Sequence, residues 1–256
     1  MSLQPQLVSA GEITRSYDVI LIAVKAYALE PVLESIAPAV GDDTLIMPIL
    51  NGMKHLDILA SRFGKAKLIG GLCKINGTLD DRGRVLQLTE LHDLTYGEPD
   101  GAASERIARL DRFFQGAGFN ARLSLNIISE MWEKWLLLAS LGAITCLMRG
   151  NIGQVASAPG GNIFARAVIE EVLTVLMCAG YVRRENYFQQ ITNLLTMKES
   201  GQTSSMYRDL TQGYEIEADQ IIGDLVNIAG RAGLSVPLLN ATYANLAVYR
   251  AAHGFS

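Results

Sequence analysis

One lysine stands inside the most apolar stretch of the chain. Residues 131–153, MWEKWLLLASLGAITCLMRGNIG, place Lys134 directly before a run from Trp135 to Met148 that carries no charge. A helix over that run is buried on most of its circumference, and a lysine is rarely fully buried unless it is paired. Desolvation lowers an ammonium pKa and brings proton donation within reach of neutral pH. The chemistry on offer is therefore proton transfer to an atom that gains negative charge. The plainer alternative is a lysine at the wet end of a core helix, its stem on apolar neighbours and its ammonium in water. Other reactive residue types are sparse. His55, His92 and His253 are isolated, and no role is assigned to them. Cys73, Cys146 and Cys178 show neither zinc nor disulfide spacing, so reduced, buried thiols are expected. The Trp, Tyr and Met residues read as packing.

The elements that must position such a lysine follow from composition and pattern. With 256 residues, 49% hydrophobic and 19% charged, the chain can form one large or two ordinary domains. A net charge of −4 and the lack of any basic run argue against nucleic-acid partners and against an anionic membrane surface. The polar start, MSLQPQLVSAGEIT, has no signal-peptide core. The uncharged run Trp135–Met148 falls short of the ~20 residues of a membrane span. A soluble, cytoplasmic protein is expected.

Asp18–Val24 (DVILIAV) and Thr44–Leu50 (TLIMPIL) are continuous apolar runs, as in strands covered on both faces of a parallel sheet. Helical spacing over Tyr27–Val40 and His55–Phe63 separates them, and Ala66–Leu72 resumes the strand pattern. That alternation predicts a doubly wound α/β sheet. Cys73–Leu79 and Val85–Leu91 alternate around Asp80-Asp81-Arg82-Gly83, a hairpin signal, with Asp93–Gly97 expected as a third antiparallel strand. A helix over Ser104–Gly116 and a last strand at Phe119–Leu123 follow. From Ser129 onward only helices are expected, over 129–148, 162–179, 184–198, 205–230 and 237–251. The fold class is thus α/β, an incomplete doubly wound, Rossmann-like sheet (1–124) followed by an all-helical C-terminal domain (125–256). The strand, glycine-rich turn and helix that open a dinucleotide-binding sheet are missing, because no GxGxxG occurs in the chain. Either the domain binds no dinucleotide, or the sequence begins after that turn.

Five segments in order resemble the ketopantoate reductase (2-dehydropantoate 2-reductase, PanE/ApbA) family without its N-terminal nucleotide-binding segment. They are VKAY at 24–27, LNGM at 50–53, WEKW at 132–135, SSMYRDL at 204–210 and EADQIIG at 217–223. The resemblance implies Lys134 as general acid and substrate ligand, with Glu217 beside it. It implies Ser205 and Asn151 as substrate ligands, and Lys25 and Asn51 as cofactor ligands at the ends of two strands. Each has a plainer reading. Lys25 can simply end a strand in solvent, and Asn51-Gly52 is a common turn pair. Ser205 can be a helix N-cap. Glu217 stands among Glu215, Asp219 and Asp224 as on a solvated face; Glu215 competes with it for the assignment, and the count from Ser205 favours Glu217.

The resemblance further implies NADP-dependent reduction of ketopantoate or a related 2-keto acid, as in pantothenate biosynthesis, in a cleft between the domains. The physics is consistent: a ketone receiving hydride develops charge on oxygen, which an ammonium stabilises and protonates. Leu138 and Gly142 stand where the family offers asparagines, so the reaction class is expected to survive better than the substrate. Two rivals remain. One is a truncated or degenerate relative acting as a non-catalytic ligand-binding or dimerising module. The other is a different two-domain dehydrogenase, such as a 3-hydroxyacid dehydrogenase, against which LNGM and EADQIIG speak. No metal is expected, and the long C-terminal helices are compatible with a homodimer.

Overall fold

The continuous apolar runs form short parallel strands, as sequence predicts. In the computed structural model, which describes residues 4–80 and 82–255, β1 (Val19–Ile22) pairs in parallel with β2 (Leu45–Pro48), from Val19 opposite Leu45 to Ile22 opposite Pro48. All four β2 residues are buried, which is why they read as an unbroken apolar run. The crossover between the strands is shorter than the spacing suggests. It consists of α1 (Leu29–Ile36) between two 3-10 turns, Ala26–Ala28 and Ala37–Ala39. Pro38 has no N–H to donate to the carbonyl four residues back, that of Glu34, so the α-helix stops before it and the chain goes on as a 3-10 turn. Lys25 follows β1 and takes up the 3-10 turn, its carbonyl accepting from the Ala28 N–H at 2.9 Å.

α2 (Lys54–Phe63) leads to a 3-10 turn at Lys65–Lys67 and then a single parallel bridge, Ile46 opposite Leu68. The third strand therefore starts later than Ala66. β3 (Gly70–Leu79) pairs antiparallel with β4 (Val85–Gly97), with a register shift between Ile75 and Gly77. Asp93–Gly97 is not a separate third strand: it is the buried end of β4, continuous with Val85–Leu91 because no turn residue interrupts them. α3 (Glu105–Phe114) is capped by the Ser104 hydroxyl, which accepts from the Ile107 N–H at 3.2 Å. β5 (Asn120–Leu123) then pairs in parallel with β4. Gly97 is required at the end of β4, where a Cβ would collide with the Ser124 carbonyl oxygen.

The chain divides into two compact units. One holds the residues up to Leu50 together with His55–Ile128; the other holds Asn51–Lys54 together with the chain from Ser129 onward. The second unit is helical, built from α4 (Ile127–Met148), α5 (Ile152–Ser157), α6 (Gly161–Cys178), α7 (Glu185–Leu195), α8 (Ser205–Thr211), α9 (Asp224–Ala232) and α10 (Pro237–His253). Trp135, Ile144, Val168, Val172 and Leu225 are among its core residues. By length and composition α4 would be able to cross a membrane, but 67% of its most apolar window is buried inside the protein, as in a core helix. The expected helix over 205–230 is broken. α8 ends before Gly213, whose φ of 77° lies in the left-handed region. The chain re-enters helix through a π-helical turn, Asp219–Gly223, that runs into α9. α5, too short for its period to stand out, was not anticipated.

The expectation of buried thiols holds for Cys146 but fails for Cys178, which is exposed near the end of α6, while Cys73 is half-buried. Burial pushes the Cys146 thiol up to about 12, so it remains protonated and unreactive at ordinary pH. Mass-spectrometric mapping after brief treatment with a thiol reagent at pH 8 should find Cys178 modified and Cys146 protected until the protein is denatured. Rapid native-state labelling of Cys146 would contradict this packing.

Candidate active site

The two sequence neighbours of Lys134 anchor α4 in different directions. Glu133, 4% exposed, accepts from Arg184 Nε at 2.5 Å and from a second guanidinium nitrogen of the same residue. Tyr181 donates its hydroxyl to the same carboxylate at 3.4 Å, and Tyr187 donates to the Glu133 backbone carbonyl at 2.9 Å. On the other side, the buried Trp135 donates its indole N–H to the Ile221 carbonyl at 3.0 Å. Successive helix residues point about 100° apart. Lys134, half-buried, thus leaves a backbone whose rotation is fixed on both flanks.

Ile221 belongs to the segment that carries Glu217. The Ile221 N–H returns to the Glu217 carbonyl at 3.1 Å, closing one helical turn before the wider π-helical turn takes over. Extra-wide turns of this kind recur at functional sites. Glu217 is only 4% exposed, which excludes a solvated face for it; Glu215 is half-buried. The Glu217 carboxylate accepts from the Asn51 amide at 3.5 Å. Gly52, at φ 78°, lies so close that a Cβ would stand 3.0 Å from the Gln220 carbonyl oxygen. Lys54 meets Asp224 at 3.5 Å. Residues 51–54 therefore dock along successive turns of 217–224, and Asn51-Gly52 is both a turn pair and part of this contact.

Two further groups hold the same segment. Asp219 accepts from the Tyr243 hydroxyl at 2.6 Å and from Arg250 at 2.7 Å. A Cβ at Gly223 would stand 2.9 Å from the Tyr243 ring. Burial raises the Asp224 carboxyl above its usual pKa, with the Lys54 charge opposing. One of its oxygens, Oδ2, is buried without a hydrogen-bond partner among the described residues.

The remaining expected residues lie as follows. Ser205 is the first residue of α8 and half-buried; the N-cap is Ser204, whose hydroxyl accepts from the Tyr207 N–H at 2.9 Å. The capping role weighed for Ser205 thus belongs to its neighbour. Asn151 caps α5 in a reciprocal box with Gln154, its Oδ1 accepting from the Gln154 N–H at 2.8 Å, so only its NH2 is left to offer a ligand. Lys25, half-buried, belongs to the sheet-containing unit. The structure brings Asn51 and Glu217 together directly. Through Trp135 and Ile221 it ties the Lys134 helix to the same segment. Sequence reading left Trp135, Asp219 and Tyr243 among packing and surface residues. The usable signal was that a buried indole N–H or phenol needs a partner.

Two variants probe this framework. Trp135→Phe removes the indole N–H and its bond to the Ile221 carbonyl and leaves part of the indole's space unfilled, so urea unfolding should show a loss of about 1–3 kcal/mol; a loss below about 0.5 kcal/mol would mean the bond carries no weight. For Asp224, folding disfavours the ionised form. The resulting penalty is absent below the unfolded pKa of 3.8 and complete once pH exceeds the raised folded value. Asp224→Asn should therefore raise the melting temperature at pH 7, with the gain shrinking as the pH falls toward 4. A variant that is less stable at pH 7 would show that the pair with Lys54 outweighs desolvation.

The comparisons with known proteins agree on one family. Residues 126–250 match the family model "Ketopantoate reductase PanE/ApbA C terminal" and residues 2–101 match "Ketopantoate reductase PanE/ApbA". The uncharacterized oxidoreductase YkpB of Bacillus subtilis is 35% identical over 251 residues, spanning 98% of this chain and 82% of that protein. A dimeric ketopantoate reductase from Staphylococcus aureus superposes with a TM-score of 0.81 at 22% identity, over 95% of this chain and 81% of that one. D-mandelate dehydrogenase, solved with NADH and anilino(oxo)acetate, superposes with a TM-score of 0.82 at 17% identity, over 97% of this chain and 80% of that one; at such identities the likeness is one of fold. Two matched models and a relative sharing a third of its residues place this chain in the ketopantoate reductase PanE/ApbA family of oxidoreductases.

Proposed function

We propose that the protein reduces ketopantoate or a related 2-keto acid to the 2-hydroxy acid, with NADP as cofactor. The observation that carries the reading is the buried Glu217 carboxylate, on a segment joined to the Lys134 helix by the Trp135–Ile221 hydrogen bond. A nicotinamide cofactor fits the residues present: Asn51 supplies an amide and Glu217 a carboxylate within hydrogen-bond reach of each other, and Lys25 follows the carboxyl end of β1, where open α/β sheets bind ligands. When bound, the reduced nicotinamide supplies the hydride. NADP rather than NAD follows the family alone.

The chain's own groups do the rest. Lys134, as an ammonium, takes the carbonyl oxygen as a hydrogen-bond acceptor and stabilises the charge that builds there as the carbon accepts hydride. It then gives that oxygen a proton and is left as a neutral amine, to be reprotonated from water. The Glu217 carboxylate favours the charged form of Lys134 in this half-buried place. The Ser205 hydroxyl and the Asn151 NH2 donate to the substrate carboxylate, and Asn51 and Lys25 line the cofactor. With α4 buried among helices rather than turned to lipid, the reading is of a soluble, cytoplasmic enzyme. A homodimer goes with it, as the S. aureus relative is named a dimer.

Lys134→Met should fold with an unchanged circular-dichroism spectrum and lose at least about 100-fold in turnover, followed as NADPH oxidation with ketopantoate and a panel of 2-keto acids. Full activity in that variant would return Lys134 to packing. No turnover by the folded, cofactor-bound parent protein on any 2-keto acid would end the reductase reading.

A further inference from the structure

On an α-helix the residues at i+4, i+8 and i+11 share a face with residue i, so Leu138, Gly142 and Thr145 continue the face of Lys134. None of them leaves a hydrogen bond for a ligand. Leu138 is half-buried, yet it belongs to none of the three apolar clusters formed by the described residues. At Gly142 the place of a side chain is taken by the Met206 methyl, 2.8 Å from where a Cβ would stand. The Thr145 hydroxyl donates to the Leu141 carbonyl at 2.7 Å and meets the Ser204 hydroxyl at 3.0 Å. Ser204 is itself occupied by the Tyr207 N–H. Beyond its ammonium, this face presents a leucine side chain and a thioether methyl.

Resting on the reductase reading, we propose that the substrate is a 2-keto acid whose side chain is hydrocarbon only, and that Leu138, backed by Met206 at Gly142, is the residue that selects it. A carboxylate and a keto oxygen still find Ser205 and Lys134. A hydroxyl further along the substrate would surrender its water and find no partner on this face. An apolar wall discriminates against such a hydroxyl by about 10- to 100-fold.

The decisive comparison uses ketopantoate and 3,3-dimethyl-2-oxobutanoate, which differ only by the C4 hydroxyl. The parent protein, assayed by NADPH oxidation, should show a kcat/KM about 10- to 100-fold higher for the dimethyl compound. Leu138→Asn, which offers an amide to that hydroxyl, should narrow the ratio at least about tenfold; Leu138→Ala, which offers none, should keep the preference. Circular dichroism identifies a variant that fails to fold, and the parent's own ratio decides the matter without it. Equal or better use of ketopantoate by the parent overturns this inference and leaves the reductase reading standing. An unchanged ratio in folded Leu138→Asn overturns the role of Leu138. Turnover of neither compound nor any other 2-keto acid removes both.

Discussion

A buried indole N–H must be paired, and at Trp135 the partner is a peptide carbonyl 86 residues later in the chain, that of Ile221. That bond constrains the helical unit more than its modest net energy suggests. It joins the middle of the most apolar helix to the one turn where the backbone departs from regular α geometry. The acid-bearing segment and the lysine-bearing helix cannot slide past each other without leaving the buried Trp135 N–H unpaired. Leaving it so costs more than the bond contributes.

Charged groups surround this point and work by specifying position rather than by adding much stability. Glu133 with Arg184 and Asp219 with Arg250 are partly buried pairs. Such pairs are roughly neutral against a well-packed apolar replacement, yet strongly unfavourable once one partner is removed. They therefore penalise misplacement of the helix that carries Lys134 and of the segment that carries Glu217, while the apolar core supplies the stability. Asp224 shows the other side of the same physics. Its carboxyl stays partly unsatisfied and is shifted toward the neutral form, with only the exposed Lys54 ammonium opposing that shift.

Period-based reading caught what depends on local sequence. β1, β2, the hairpin, β5 and the long helices α4, α6 and α10 follow from apolar spacing. Pro38 shortened a helix and Gly213 split one, since a missing backbone N–H and a left-handed turn each override hydrophobic period. The strand at Asp93–Gly97 merged into β4 because alternation cannot tell one bent strand from two. In the candidate site, the likeness of five segments picked out Asn51 and Glu217, which the fold does bring together. What stayed hidden was long-range pairing: the indole of Trp135 and the phenol of Tyr243 bond to partners invisible to any local window. Their burial was legible, but the identity of their acceptors was not.

The separation of 166 residues between Asn51 and Glu217 means that this polar cluster exists only once the whole helical unit has formed. A cluster assembled from such distant parts of the chain depends on all of them, because each polar member is also a structural partner. Altering Trp135, Asp219 or Gly52 disturbs the packing that holds Asn51 and Glu217 together. The face of α4 beyond Lys134 is different. Leu138 lies outside the apolar clusters and carries no hydrogen bond that the fold needs, so it is free to change with little cost to stability. The polar members of the cluster are thus fixed by folding, whereas a position such as Leu138 is not.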